Sequence, residues 1–343
     1  MVAADVAMAE KKRTGVSSIA VVFAVLVAVL IFAPLPPFNV YPVDLMRALC
    51  LALFACAFNL LIGYGGLLSF GHAMFFGWAA YVAAHLAKVG VISLPYWAGS
   101  WNWFVVPLPP LSPELAILGG TAFAAVLGLV VGSLAIRRQG IYFAMITLAL
   151  SQMMYFFALQ AKFTGGEDGI QAVPRGRLAG VVDLSDNMAM YVFVAVVFLL
   201  GFLLTYRIVN SPFGEVLKAI RENEPRAISL GYKTDRYKLM AFVLSAMLAG
   251  LAGATKAVAL GLASLSDVQW QMSGEVVLMT LVGGLGTIFG PVVGAATIAA
   301  MQTQLVGFGQ WVTIIQGVIF VACVLMFRRG IVGELAALLR IRL

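Results

Sequence analysis

The sequence predicts an all-α polytopic membrane protein, and three observations carry that expectation. Hydrophobic residues make up 62% of the chain against 11% charged, with a mean hydropathy of +1.00. No soluble domain of this length sustains that balance. Several stretches run past about 18 apolar residues, enough for a helix to cross a bilayer; a transmembrane β-barrel would show short alternating segments instead. The basic residues are also confined, with 16 of the 22 Lys and Arg in a few short segments outside the apolar runs. The positive-inside rule reads such segments as cytoplasmic. A net charge of +7 therefore marks topology rather than a nucleic-acid partner.

The apolar runs place about ten transmembrane segments (range about 8–10) near 17–34, 44–62, 67–87, 113–136, 140–161, 188–206, 237–260, 273–284, 289–305 and 310–327. Residues 1–16 form a cytoplasmic N-terminal tail, 17–327 a single transmembrane domain and 328–343 a cytoplasmic C-terminal tail. Lys11-Lys12-Arg13 ahead of an apolar run resembles a signal peptide. The run ends in Pro34-Leu35-Pro36-Pro37 without a small-x-small cleavage site, so it reads as a retained first span. With Lys11–Arg13 inside, counting crossings puts Arg137-Arg138, the segment 207–236 and Arg328-Arg329 inside as well. That agreement requires the short eighth span to be counted. Segments 88–112 and 162–187 then lie outside. The first carries Trp97, Trp101, Trp103, Pro107, Pro109 and Pro110, as interfacial anchors do. The second mixes charges with turn glycines and is long enough to fold over the outer mouth.

Segment 210–231, NSPFGEVLKAIRENEPRAISLG, is a long polar run between hydrophobic spans. Ser211-Pro212 reads as N-cap and first helical residue. Phe213, Val216, Leu217 and Ile220 recur at helical spacing and form one apolar face. Lys218 and Glu222 are spaced to pair. Pro225 restarts the chain as a second short turn, and Gly231 is a left-handed stop. Such a helix fits a partner's groove or the lipid headgroups.

Two glycine-rich interruptions, Gly63–His72 and Gly283–Pro291, break hydrophobic segments in each half of the chain. Unwound backbone at membrane depth is tolerated only against protein or a water-filled cavity, and paired breaks point to a transport site. Close helix packing and tight turns near the inner face are the plainer readings. Intramembrane charge is sparse. Asp44, Arg47 and Glu114 fall near span ends, Lys256 can snorkel to the outer interface, and Glu275, near the outer start of the eighth span, is the best pathway carboxylate.

No P-loop, HExxH, GxSxG or Cys/His cluster is present, and Gly250–Lys256 has the wrong spacing for a P-loop. Cys50, Cys56 and Cys323 lie in apolar spans without metal-ligand spacing. No catalytic constellation, metal site or cofactor of its own is expected. An ion-coupled carrier would need a carboxylate relay or ion cage, so energy is expected to enter through a partner.

Four ordered blocks, 63–84, 141–152 with 164–170, 211–254 and 273–296, resemble the permease subunits of ABC importers for branched-chain amino acids, the LivM type. The resemblance implies a multi-pass protein of the bacterial inner membrane that forms half of a translocation pathway. It implies a paralogous LivH-type permease, two cytoplasmic ATPase subunits holding ATP and Mg, and a periplasmic substrate-binding protein as partners. It also implies that 207–236 is the cytoplasmic coupling segment, with Ser211, Pro212, Phe213, Gly214, Leu217, Ile220, Arg221, Glu222, Asn223, Glu224 and Gly231 at the ATPase-coupling surface. Pathway candidates are Tyr64, Gly65, Gly66, Ser69, Gly71, His72, Thr147, Gln152, Gly165, Gly166, Asp168, Glu275, Gly283, Gly284 and Gly286. Pro225 departs from the smaller residues found there in many relatives. Similar Asn-Glu-Pro-Arg sequences occur in urea and short-chain amide permeases, which remain an alternative alongside an ion-coupled secondary carrier.

Overall fold

The computed structural model describes residues 22–34, 40–88, 91–93, 105–107, 111–138, 140–178, 180, 182–305, isolated positions between 311 and 325, and 330–338. The tail at 1–16, the tryptophans Trp97, Trp101 and Trp103, Pro109 and Pro110 lie outside the described residues, as does most of the expected span 310–327.

The protein is mainly helical. In chain order the helices are α1 (Val22–Phe32), α2 (Pro42–Asn59, prolonged by a π turn Leu60–Tyr64), α3 (His72–Lys88), α4 (Pro113–Ala135), α5 (Ile141–Gln160) and α6 (Asn187–Val209). After them come α7 (Pro212–Glu222), α8 (Glu224–Ser229), α9 (Thr234–Leu260), α10 (Trp270–Gly283), α11 (Gly290–Leu305) and α12 (Gly330–Leu338). Five of them, α2 with its π turn, α4, α5, α6 and α9, are long and apolar enough to cross a membrane. The span expected from 67 is helical only from His72, because 66–71 are irregular backbone and turn, with Gly66 at φ +68°.

Local chemistry sets the helix ends. Pro42, Pro113 and Pro212 stand in first turns, where a missing N–H costs nothing. The Asp186 carboxylate accepts from the Ala189 N–H at 3.2 Å and caps α6. α9 stops where Gly261 turns left-handed.

Helices α2, α3 and α9 form the centre, with α2 buried from Leu49 to Tyr64 apart from Ile62. α4 joins this centre along a stripe of small residues four apart, Gly120, Ala124, Gly128 and Gly132. A Cβ on Gly120 would stand 2.6 Å from the Ala79 carbonyl, and one on Gly128 would stand 2.5 Å from the Ala246 methyl. Small residues let backbones approach where lipid supplies no hydrophobic drive. The outward positions of α4, α5 and α6 include Leu118, Val126, Leu129, Met145, Met153, Phe156, Val192, Val196 and Leu200, an apolar belt.

At the end away from α7, the chain folds back over the bundle. Strands β1 (Val91–Ser93) and β2 (Val105–Pro107) pair antiparallel, as do β4 (Arg177–Leu178) and β5 (Val182–Asp183). β3 (Ile170–Gln171) pairs with β6 (Leu262–Ala263), joining the loop after α5 to the turn after α9. Val173 N–H donates to the Gly261 carbonyl at 3.0 Å, and Arg175 Nε to the Ala259 carbonyl at 3.1 Å. The segment expected to close the outer mouth therefore caps α9.

The chain after α9 does not stay at that surface. It turns back into the bundle, where Val268 meets Gly77 so closely that a Cβ on Gly77 would overlap it. Gly77 lies 11 residues before Lys88, about 16 Å below the far end of α3. Lys256 pairs there with Asp267, both nearly buried, with its ammonium 5.6 Å from the Phe76 ring centroid. The expectation that Lys256 snorkels is thus corrected: the re-entrant turn brings a carboxylate to it. α10 consequently starts at depth, with Ser273 Oγ accepting from the Ala73 N–H at 2.9 Å.

Candidate functional site

Helix α7 begins as its sequence dictates. Ser211 Oγ accepts from the Gly214 N–H at 3.4 Å and Pro212 fills the first turn. Asn223 caps α8 by accepting from the Arg226 N–H at 3.1 Å. Gly231 has φ +89°. Lys218 pairs with Glu215 at 2.9 Å rather than with Glu222, one turn back instead of onward. Glu224 binds the Lys238 ammonium of α9 at 2.5 Å and ties α8 to the bundle.

The apolar face of α7 points inward, which corrects the reading that it fills a partner's groove. Leu217 and Ile220 are buried within this chain, Gly214 is buried against α6, and Phe213 stacks on Tyr237 with centroids 5.7 Å apart. These residues seat the helix; they are not its outer surface. Glu222 and Asn223 are exposed, beside Ile228, Leu230 and Tyr232 of the α8 end. Leu230 is 70% exposed, an apolar residue one turn after the charged Arg226. Sequence reasoning passed over Ile228, Leu230 and Tyr232 because α8 is too short to show a periodic face. Their signal is apolar residues in a segment that is otherwise polar.

The two glycine breaks meet above α7. Arg221 donates through Nη1 to the Gly63 carbonyl. Its stem crosses Gly66, where a Cβ would stand 3.0 Å from Cγ. Leu217 lies against Gly65. From the other side, Asn59 Nδ2 donates to the Thr287 carbonyl at 2.9 Å, and Asn59 Oδ1 accepts from the Gly286 N–H at 3.0 Å. One amide thereby satisfies a donor and an acceptor of the second break. Gly284 and Gly286 have φ +121° and +74°, and a methyl on Gly283 would overlap the Gly290 carbonyl. Gly330 of α12 packs on Gly284. The breaks form a close-packed junction, in line with the plainer of the two sequence readings.

The remaining candidates lie in separate places. Tyr64 is buried at the junction, with Lys218 Nζ 5.9 Å from its ring centroid. Ser69, Gly71, His72 and Thr147 form the turn into α3. Ser69 Oγ accepts from the Gly71 N–H, and Thr147 Oγ1 accepts from the Phe70 N–H. Ser245 donates its hydroxyl to the Ala57 carbonyl at 2.5 Å, so His72 carries its proton on Nε2 and donates to Ser245 Oγ at 2.8 Å. Phe58, Phe75 and Phe242 stand at steep angles around the ring, with centroids 5.2, 5.7 and 5.9 Å away. Gly165, Gly166 and Asp168 lie in the far cap, with Asp168 exposed. Gln152 is half-buried on α5. Glu275 accepts from Gln302 Nε2 at 3.2 Å within the bundle, not near its end, because α10 begins at depth.

The profile of the family described as the permease component of branched-chain amino acid transport systems matches residues 45–327. The chain belongs to this family. It is 25% identical over 332 residues to the high-affinity branched-chain amino acid transport system permease protein LivM of Escherichia coli (strain K12), covering 89% of this chain and 74% of that protein. It is also 25% identical over 296 residues to LivM of Salmonella typhimurium (strain LT2), covering 80% of this chain and 65% of that protein. No solved structure matches the chain. As a permease it is a multi-pass membrane protein and a transport component rather than an enzyme. The family match takes in α7, both glycine breaks and the far cap.

Proposed function

We propose that the chain is one permease half of an ATP-driven importer of branched-chain amino acids in a bacterial inner membrane. It works beside a LivH-type permease, two ATPase subunits that hold ATP and Mg, and a periplasmic binding protein. The observation that carries this reading is the Arg221–Gly63 link. A polar-faced helix between α6 and α9 holds the first glycine break through one guanidinium and one buried leucine, and Asn59 of α2 ties that break to the second. A force on α8, whose exposed Ile228, Leu230 and Tyr232 offer an apolar handle, reaches α2 and α10 without passing through a flexible loop. On this reading α7 and α8 are cytoplasmic, the 162–187 cap is periplasmic, the bundle crosses the membrane about ten times and both chain ends are cytoplasmic.

The test is reconstitution of the permease pair, its ATPases and its binding protein in liposomes. ATP-dependent accumulation of labelled leucine, isoleucine or valine is the expected result. Accumulation of urea or short amides instead would reassign the substrate. Uptake by this chain alone, driven by a proton or sodium gradient, would overturn the importer reading.

A further inference from the structure

On α2, α10 and α11 three polar side chains form one chain of hydrogen bonds. Arg47 Nη2 donates to Gln302 Oε1 at 3.0 Å, and Gln302 Nε2 donates to Glu275 Oε2 at 3.2 Å. The depth of this chain is set by helix rise. Glu275 stands eight residues before Gly283, about 12 Å above the second glycine break. Arg47 stands twelve residues before Asn59, the residue that pins that break, about 18 Å above it. The break itself lies roughly 7 Å from the α7 end of α2, the rise from Asn59 to Tyr64. On that scale Glu275 stands about 19 Å into a hydrocarbon layer about 30 Å thick, and Arg47 about 25 Å, in its far third.

A carboxylate at the depth of Glu275 is expensive against lipid and marks a protein- or water-lined face. The rest of the surface agrees. Where α4, α5 and α6 face outward they show Leu, Val, Met and Phe. Around the triad the outward residues include the polar Arg47, Gln271, Thr303 and Gln304, interleaved with Val43, Trp270 and Ala300. Lys256 and Asp267 pair with each other inside the bundle, and Gln302 stands between a cation, Arg47, and an anion, Glu275. Between them the Gln302 amide turns its oxygen to the cation and its nitrogen to the anion, the orientation that satisfies both. An α-amino acid has the same layout, with an acceptor carboxylate and a donor ammonium side by side.

We propose that Arg47, Gln302 and Glu275 line the solute pathway and receive the two charged ends of a zwitterionic amino acid, with Gln302 holding the place until solute displaces it. The proposal rests on the importer reading above. Arg47 takes the carboxylate, Glu275 the ammonium, and the apolar side chain of the solute needs no matching charge. An uncharged solute such as urea gains nothing from this site.

Two measurements test it in the complete transporter. Arg47→Gln and Glu275→Gln should each lower ATP-dependent leucine uptake by about tenfold or more, as lost charge-assisted contacts do. ATPase co-purification should stay normal, and Arg47→Lys or Glu275→Asp should restore part of the uptake. In a background without Cys50, Cys56 and Cys323, Gln302→Cys should react with a charged, water-borne thiosulfonate, since a lipid-facing thiol does not ionise. Wild-type uptake in both neutral variants, or an unreactive cysteine at 302 in every nucleotide state, overturns the proposal. Should a neutral variant fail to assemble, the reactivity at 302 decides. Failure of the importer reading looks different, because the unmodified complex would then accumulate no branched-chain amino acid.

Discussion

Asn59 does the work of two residues at the glycine junction. Its amide supplies the acceptor for Gly286 N–H and the donor for the Thr287 carbonyl. Asn59→Leu keeps the volume but strands both backbone groups, at about 1–3 kcal/mol each. The expected result is a clearly lower unfolding temperature in detergent together with reduced uptake; a thermally unchanged variant would show that water replaces the amide. Glycines on α10 should divide sharply. A methyl on Gly283 overlaps backbone that cannot move aside, whereas one on Gly274 meets nothing within 4 Å. Gly283→Ala should destabilise the protein strongly. Gly274→Ala should be neutral or stabilising by up to about 1 kcal/mol, the ordinary helix preference. Thermal unfolding of the pair checks the contrast.

Helix α7 is held by its apolar face. Leu217 is buried at the first glycine break, a burial worth about 1.5–3 kcal/mol. Leu217→Asp puts a carboxylate there without a partner. It should lower the amount of folded permease in the membrane rather than cleanly detach the ATPases. Leu230→Asp changes an exposed position. The permease should then be present in normal amount, with ATPases lost on purification and uptake abolished. Quantifying membrane protein and co-purified ATPase for both variants separates seating from docking. ATPases retained in full by Leu230→Asp would remove the α8 end from the coupling surface.

For the molecule as a whole, topology is the property on which every assignment depends. Arg138, after α4, and Glu167, in the cap, are both exposed and lie at opposite ends of α5. In a background without native cysteines, Glu167→Cys should be labelled by an impermeant maleimide in intact cells and Arg138→Cys should not. The reverse pattern would invert the molecule in the membrane.

The sequence alone determined the helical membrane class, the family, the start of α7 and the left-handed stop after α8, because each rests on local quantities: hydropathy over one helix length, residue order within a block, and cap chemistry within a turn. Ser211, Asn223 and Gly231 behave as their types require wherever the chain leads. Direction and depth were decided only by tertiary structure. Periodicity showed that Phe213, Val216, Leu217 and Ile220 share a face, but not that this face turns into the same chain. Hydropathy placed Glu275 near a span end, because it could not register that the chain after α9 dives back to Gly77 before α10 begins. Lys256 looked like a snorkelling lysine until that dive delivered Asp267. The meeting of Asn59 with Gly286, and of Arg47 with Gln302, joins residues more than two hundred positions apart. Contacts of that separation are fixed by packing of the whole bundle and leave no local pattern from which to read them.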